Sequence, residues 1–216
     1  MRRDAMDDAI QGALNSPRKA VVLLMVLGAF GAGYYLGGHG LPAGMVPPNG
    51  SVGGAAQDNI SVHFSPKGGS TDAIVAEIRE AKQSIHVQAY SFTSRGIIAA
   101  LVDAHRRGVK VILVNDKKAA DEPGSKVAEA AEAGIDVRVD GRHPIAHNKI
   151  MLIDGRTIIT GSFNFTNQAE NSNAENLLVL HDKPELYKGY EASFQQHLAH
   201  ADAYTAGEAK SERRTR

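Results

Sequence analysis

His147, Lys149, Asp154, Ser162 and Asn164 fall within nineteen residues, HNKIMLIDGRTIITGSFNF at 147–165. The stretch divides into two β-rich runs, HNKIMLID and TIITGS. The Asp-Gly pair at 154–155, set between alternating apolar runs, is a strong hairpin signal. His147 and Lys149 are two apart on the first run and project from one face; Ser162 and Asn164 repeat that spacing after the second. A hairpin of this pattern gathers an imidazole, an ammonium and two small hydrogen-bonding groups against an apolar background.

Such a patch suits a phosphodiester. Lysine supplies a fixed positive charge, and serine and asparagine supply hydrogen bonds to non-bridging oxygens. Histidine works near neutral pH as nucleophile or as general acid and base. No carboxylate cluster of the kind that holds magnesium or calcium accompanies them. The expectation is phosphoryl transfer with no cofactor and no metal, developing charge being met by protein cations and dipoles.

Taken together, His147, Lys149, Asp154, Gly161, Ser162 and Asn164 resemble the histidine–lysine–aspartate signature of the phospholipase D superfamily, with its Gly-Ser-x-Asn continuation. SVHFSPKG, IHVQAYSFTS, RRGVKVILVND and SNAEN extend the likeness over about residues 60–198, toward the small bacterial endonucleases of that superfamily. The resemblance implies that His147 attacks phosphorus to form a phosphohistidine. It implies that Lys149 and Asn164 bind phosphate oxygens with support from Ser162, and that Glu175 orients the imidazole, a sensible task for a carboxylate. Asp154 and Gly161 belong to the signature, and a structural role is expected for Asp154, aspartate being a good turn residue. The mechanism needs a second histidine, yet the signature occurs once and no internal repeat is visible. Small members of the family dimerise, so the expectation is a homodimer with one composite site in which His147 of each subunit faces its copy. An isologous contact delivers that geometry.

Two substrates share this chemistry. A nucleic acid cut with little sequence preference is the first expectation, since phosphate contacts position a strand without reading bases. A phosphatidylcholine-type lipid is the alternative. A non-catalytic, membrane-tethered binding module is the remote third reading, and it would not need nucleophile, cation and orienter kept together.

Around the hairpin, SVHFS reads as a short strand and TDAIVAEIREAKQ as a helix that Ser70 or Thr71 could cap. SIHVQAYSF, VKVILVN, IDVRVD and AENLLVLH read as strands; GIIAALVDAHRRG, SKVAEAAEAG and a segment from about 184 to 199 read as helices. The alternation predicts an α/β fold with a mixed, largely parallel sheet flanked by helices. One catalytic domain is expected over residues 60–200.

Upstream, Arg18 and Lys19 precede an uncharged apolar run at 20–38. The run is marginal for a spanning helix, which needs roughly 20 apolar residues. It reads either as an uncleaved anchor, with 1–19 in the cytoplasm, or as the core of a signal peptide. Both place the catalytic domain outside the cytoplasm. Residues 39–59, rich in glycine and proline, read as a flexible linker, and 201–216 as a charged tail.

Lysine plus arginine and aspartate plus glutamate each number 24, so the formal net charge is zero and any anionic substrate must be drawn by a local field. The absence of cysteine removes disulfides, thiolate metal sites and cysteine nucleophiles. His63, His86, His105, His143, His181, His197 and His200 read as scattered, without metal spacing; His143 draws attention because RHPIA leads directly into the motif. Tyr90 and Ser91 read as supporting residues, and Arg106 and Arg107 as a solvated helix end that could also meet a phosphate backbone.

Overall fold

The computed structural model describes residues 52–53 and 59–205, all within one compact unit spanning Pro47–Arg216. The apolar run at 20–38 and the tail beyond 205 lie outside the described residues. No helix among the described residues is long and apolar enough to cross a membrane.

Strands β1 (Val52–Gly53), β2 (Ile60–Ser65), β3 (Ser84–Ala89), β4 (Lys110–Asp116), β5 (Asp136–Asp140), β6 (Lys149–Ile153), β7 (Thr157–Gly161), β8 (Glu175–His181) and β9 (Asp202–Ala203) form one sheet. Its order is β1-β2-β8-β7-β6-β3-β4-β5-β9. The helices are α1 (Ser70–Glu80), α2 (Arg95–Arg106), α3 (Val127–Glu132), α4 (Asn167–Asn171) and α5 (Pro184–His200).

The sheet is mixed and flanked by helices, as the alternation predicts, but it is not largely parallel. Only β3·β4 and β4·β5 run parallel; the other six pairings are antiparallel. Parallel neighbours need a crossover, and only α2 and α3 serve as one between adjacent strands. Elsewhere the chain returns by the hairpin β6–β7 and by longer connections that leave strands antiparallel.

Apolar side chains fill both faces. On one, Ile74 and Ile78 of α1 and Ile97, Ile98 and Leu101 of α2 pack on Ile85, Val87 and Met151 of the sheet. On the other, Phe194 of α5 covers Ile112, Val114, Ile150, Leu152 and Ile158. α2 starts where the Ser94 hydroxyl accepts from the Ile97 amide, and the chain leaves it through Gly108 at φ 91°.

Three local expectations are corrected. α1 is not capped by Ser70 or Thr71; the Glu170 carboxylate accepts from the Gly69 and Thr71 amides at 3.1 and 2.7 Å. A carboxylate a hundred residues away can satisfy free N–H groups at a helix start as well as a local hydroxyl does. Within the stretch read as linker, Val52 and Gly53 pair with Val62 and Ser61. Past residue 200, Asp202 and Ala203 pair with Val139 and Arg138, and the Tyr204 amide donates to Val137. Edge pairing of this kind uses main-chain groups only, so it leaves little mark in side-chain patterning.

Candidate active site

Because Ala89 pairs with Lys149 and Ser65 with Glu175, one edge of the sheet collects the end of β2, the end of β3 and the starts of β6 and β8. The ends of β4 and β5 lie on that same edge. His147 sits just before β6, exposed, its ring 4.7 Å from that of Tyr90. No hydrogen bond reaches its side chain from any described residue. Lys149 is 6% exposed; its ammonium donates to the His147 carbonyl at 2.9 Å and lies 5.3 Å from the centre of the Tyr90 ring. Burial pushes the Lys149 ammonium down to about 8, with the charge of Glu175 pulling the other way. Tyr90, read from sequence only as a supporting residue, thus touches both the imidazole and the cation.

Phe163 and Phe165 are fully buried, and their alternation with Ser162 and Asn164 turns the polar pair away from the core. Asn164 Oδ1 is buried and has no hydrogen-bond partner among the described residues. The Ser162 hydroxyl accepts from the Asn176 amide at 3.1 Å and from its Nδ2 at 3.3 Å. In return the Ser162 and Phe163 amides both donate to the Asn176 carbonyl. That close approach explains Gly161: at φ 142°, a Cβ there would collide with the Asn176 carbonyl.

Asp154 stands at the far end of the hairpin. Its carboxylate accepts from the amides of Lys82, Gln83 and Ser84 at 2.7, 2.8 and 2.9 Å, tying the turn to the start of β3. Burial acts to raise its pKa, but these three hydrogen bonds and Lys82 together hold it below the usual carboxylate range. Asp154 and Gly155 both have positive φ and the Arg156 amide donates to Ile153, so the turn is of type I′.

Glu175 does not bond to His147 within the chain. Its Oε1 accepts from Asn173 Nδ2 at 3.0 Å, and its charge acts on Lys149.

Three supporting residues were missed in the sequence. Asn176 holds Ser162. Asn115, fully buried, donates to the Tyr90 carbonyl at 3.1 Å. Asp116 accepts from the Ala146 amide at 2.8 Å and so fixes the chain just ahead of His147. The only available sequence signal was the Asn-Asp pair closing an otherwise apolar strand, where a buried polar residue needs a task.

Arg106 and Arg107 are far from this edge: Arg107 caps carbonyls of Ile78 and Arg79, and Arg106 pairs with Asp103. His86 bonds Glu191 and stacks on Phe194, and His181 meets Thr157 and Glu77. His143, His197 and His200 are not scattered; all three converge on Asp140. His197 and His200 are three apart on a helix and therefore share a face, a signal present in the sequence.

The fold and the site edge define a phospholipase D-like domain. The family model described as "Cardiolipin synthase, PLD-like domain" matches residues 74–198, and the chain belongs to the phospholipase D superfamily. It is 41% identical over 133 residues to a phospholipase D of Rickettsia prowazekii, covering 62% of this chain and 65% of that protein. It is 32% identical over 123 residues to a mitochondrial cardiolipin hydrolase of Xenopus laevis, covering 57% and 58% of the two chains. The match thus spans less than two thirds of these relatives. The crystal structure of Nuc from Salmonella typhimurium, a phospholipase D family member, superposes with a TM-score of 0.66 at 36% identity, over 69% of this chain and all of Nuc.

Proposed function

We propose that this protein is a phosphodiesterase that cleaves nucleic acid non-specifically through a phosphohistidine intermediate, at a site completed by a second copy of the chain. The observation that carries the reading is the pairing of an exposed, unengaged imidazole with a buried cation two residues on. His147 is free to attack, while Lys149 is held beside it, its charge little screened by water. The Asn164 Nδ2 group, not its Oδ1, is the donor that would meet a non-bridging oxygen, and Ser162 is positioned by Asn176 to support it.

In this mechanism a ring nitrogen of His147 bonds to phosphorus as the P–O bond to the leaving group breaks. The leaving oxygen takes a proton from the partner's His147. Water then attacks phosphorus, gives its proton to that same partner imidazole, and the P–N bond breaks to free the first histidine. Glu175 helps keep Lys149 charged when no phosphate is bound. Two exposed apolar side chains support dimerisation across this edge: Ile145, 57% exposed and two residues before His147, and Phe64, 51% exposed and paired with Asn176.

A polyanion is favoured over a single headgroup by the exposed cations Lys67, Lys117, Lys118 and Arg142 in the loops of the same edge and by Arg95 at the start of α2. They make a local basic rim on a chain of zero net charge. The phospholipase reading draws on the names of the relatives. The apolar run at 20–38 would then serve to deliver the domain outside the cytoplasm, cleaved or as an anchor.

The test offers purified protein labelled single- and double-stranded DNA and, separately, phosphatidylcholine and cardiolipin vesicles, with and without EDTA. Cleavage of DNA in EDTA, lost in His147→Ala, is the expected result. Headgroup release without DNA cleavage would move the substrate to lipid, and turnover by His147→Ala at the native rate would overturn the mechanism.

A further inference from the structure

On the same sheet edge as His147, three imidazoles close on one carboxylate. Asp140, at the end of β5, has a side chain with no exposure. His197 Nδ1 lies 2.7 Å from its Oδ2, His143 Nδ1 3.1 Å and His200 Nε2 3.2 Å. The ring centres stand 5.0 to 5.4 Å apart in all three pairs. We propose that Asp140, His143, His197 and His200 form a binding site for a divalent transition-metal ion of the zinc class, separate from the phosphodiester site.

The four donor atoms all lie within 4.8 Å of one another. A tetrahedral zinc with bonds of 2.0–2.1 Å sets its ligand atoms about 3.3 Å apart, so small side-chain rotations suffice. Three imidazoles and one carboxylate favour zinc and its neighbours over magnesium or calcium, which take oxygen ligands. The ligand pairs are placed by regular structure: Asp140 and His143 flank the turn leaving β5, and His197 and His200 share a face of the last turn of α5. That helix end presents its carbonyls and the negative end of its dipole, which favours a cation.

Hydrogen bonding leaves one buried nitrogen of this cluster without a partner. His200 Nε2 is buried and, although near Asp140, has no hydrogen bond of acceptable geometry. A fully buried carboxylate needs compensating charge, and among the described residues no lysine or arginine pairs with Asp140; the backbone amide of Arg142 and the imidazoles of His143 and His197 are its hydrogen-bond partners, with His200 close by. Burial acts to raise the pKa of Asp140, but His197, His200, the Arg142 amide and His143 together hold it well below the carboxylate range.

With four protein ligands the site is closed, which marks a structural ion. Its effect would be to fasten the 141–146 loop to the end of α5. Asp116 already grips that loop at Ala146, and His147 follows at once. Three strand spacings, roughly 14 Å, separate β5 from β6, so the ion would not touch the reacting phosphate.

The experiment uses the full chain, stripped with chelator and returned to buffer, then given Zn2+ and passed through a desalting column. Zinc content is read by elemental analysis and thermal stability by calorimetry. One zinc retained per chain and a raised Tm are expected. His143→Ala removes the most exposed ligand and should still fold, with affinity weaker by at least about tenfold. His197→Ala/His200→Ala should lose retention altogether, while His63→Ala serves as a control that keeps it. Co2+ in place of zinc should give the visible absorption of a tetrahedral site. No retained zinc in the wild type, or equal retention in the wild type, His143→Ala and the double variant, overturns the proposal. None of these readouts depends on hydrolysis, so failure here is distinct from failure of the nuclease reading.

Discussion

Lys149 provides the sharpest test of the site's electrostatics. Its ammonium titrates at about 8 instead of the usual 10.5. Between those values the unfolded chain carries a proton at this position that the folded chain has released. Unfolding therefore becomes harder as pH rises through that window. At about 1.4 kcal/mol per pH unit, the Lys149 contribution to stability should climb by about 3 kcal/mol from pH 8 to pH 10.5. Lys149→Met lacks the titrating group and keeps the length of the side chain. Urea unfolding of both proteins at intervals from pH 7 to 11 isolates the effect, because every other titration is common to both and cancels in the difference. The methionine variant should show its greatest relative stability below pH 8, and this advantage should shrink steadily above it. Glu175→Gln, by removing the charge that supports the ammonium, should move the start of the window lower. The kcat/KM of the wild type, which reports the phosphate-free enzyme, should fall above pH 8. Parallel stability curves for the two proteins across the whole range would refute the argument.

Asp154→Ala strands three backbone donors at the start of β3, two of them solvent-exposed, and should cost about 2–3 kcal/mol in urea unfolding. Because the folded pKa of Asp154 is depressed, the wild type's margin over that variant should be full above about pH 4 and shrink as pH falls further. Gly161→Ala drives a Cβ into the Asn176 carbonyl and should cost at least about 2 kcal/mol while displacing Ser162; a Tm equal to the wild type's would contradict this.

Much of the fold was legible because it depends on period and punctuation. The apolar faces of α1 and α2, the Asp-Gly turn and the glycine at 108 state local geometry directly, and each element lies close to where its pattern puts it. The strand directions were less accessible. Alternating helices and strands suggest parallel pairing, but whether two strands separated by many residues lie side by side depends on packing of whole faces, not on local pattern. The roles of Asn176, Asn115 and Glu170 were illegible for the same reason, since a single polar side chain carries no sign of the distant amide or carbonyl it will meet.

That His147, Lys149, Ser162 and Asn164 lie close together follows from the sequence alone, because one hairpin and a period of two bring them to one end whatever the rest of the chain does. The depressed pKa of Lys149 does not, because it is set by burial, and β6 is buried only once β3 and β7 lie on either side of it. Nor does the meeting of Asp140 and His143 with His197 and His200. Each pair has its own three-residue spacing, but the two are joined only when α5 packs back across the sheet, and that is a property of the tertiary structure.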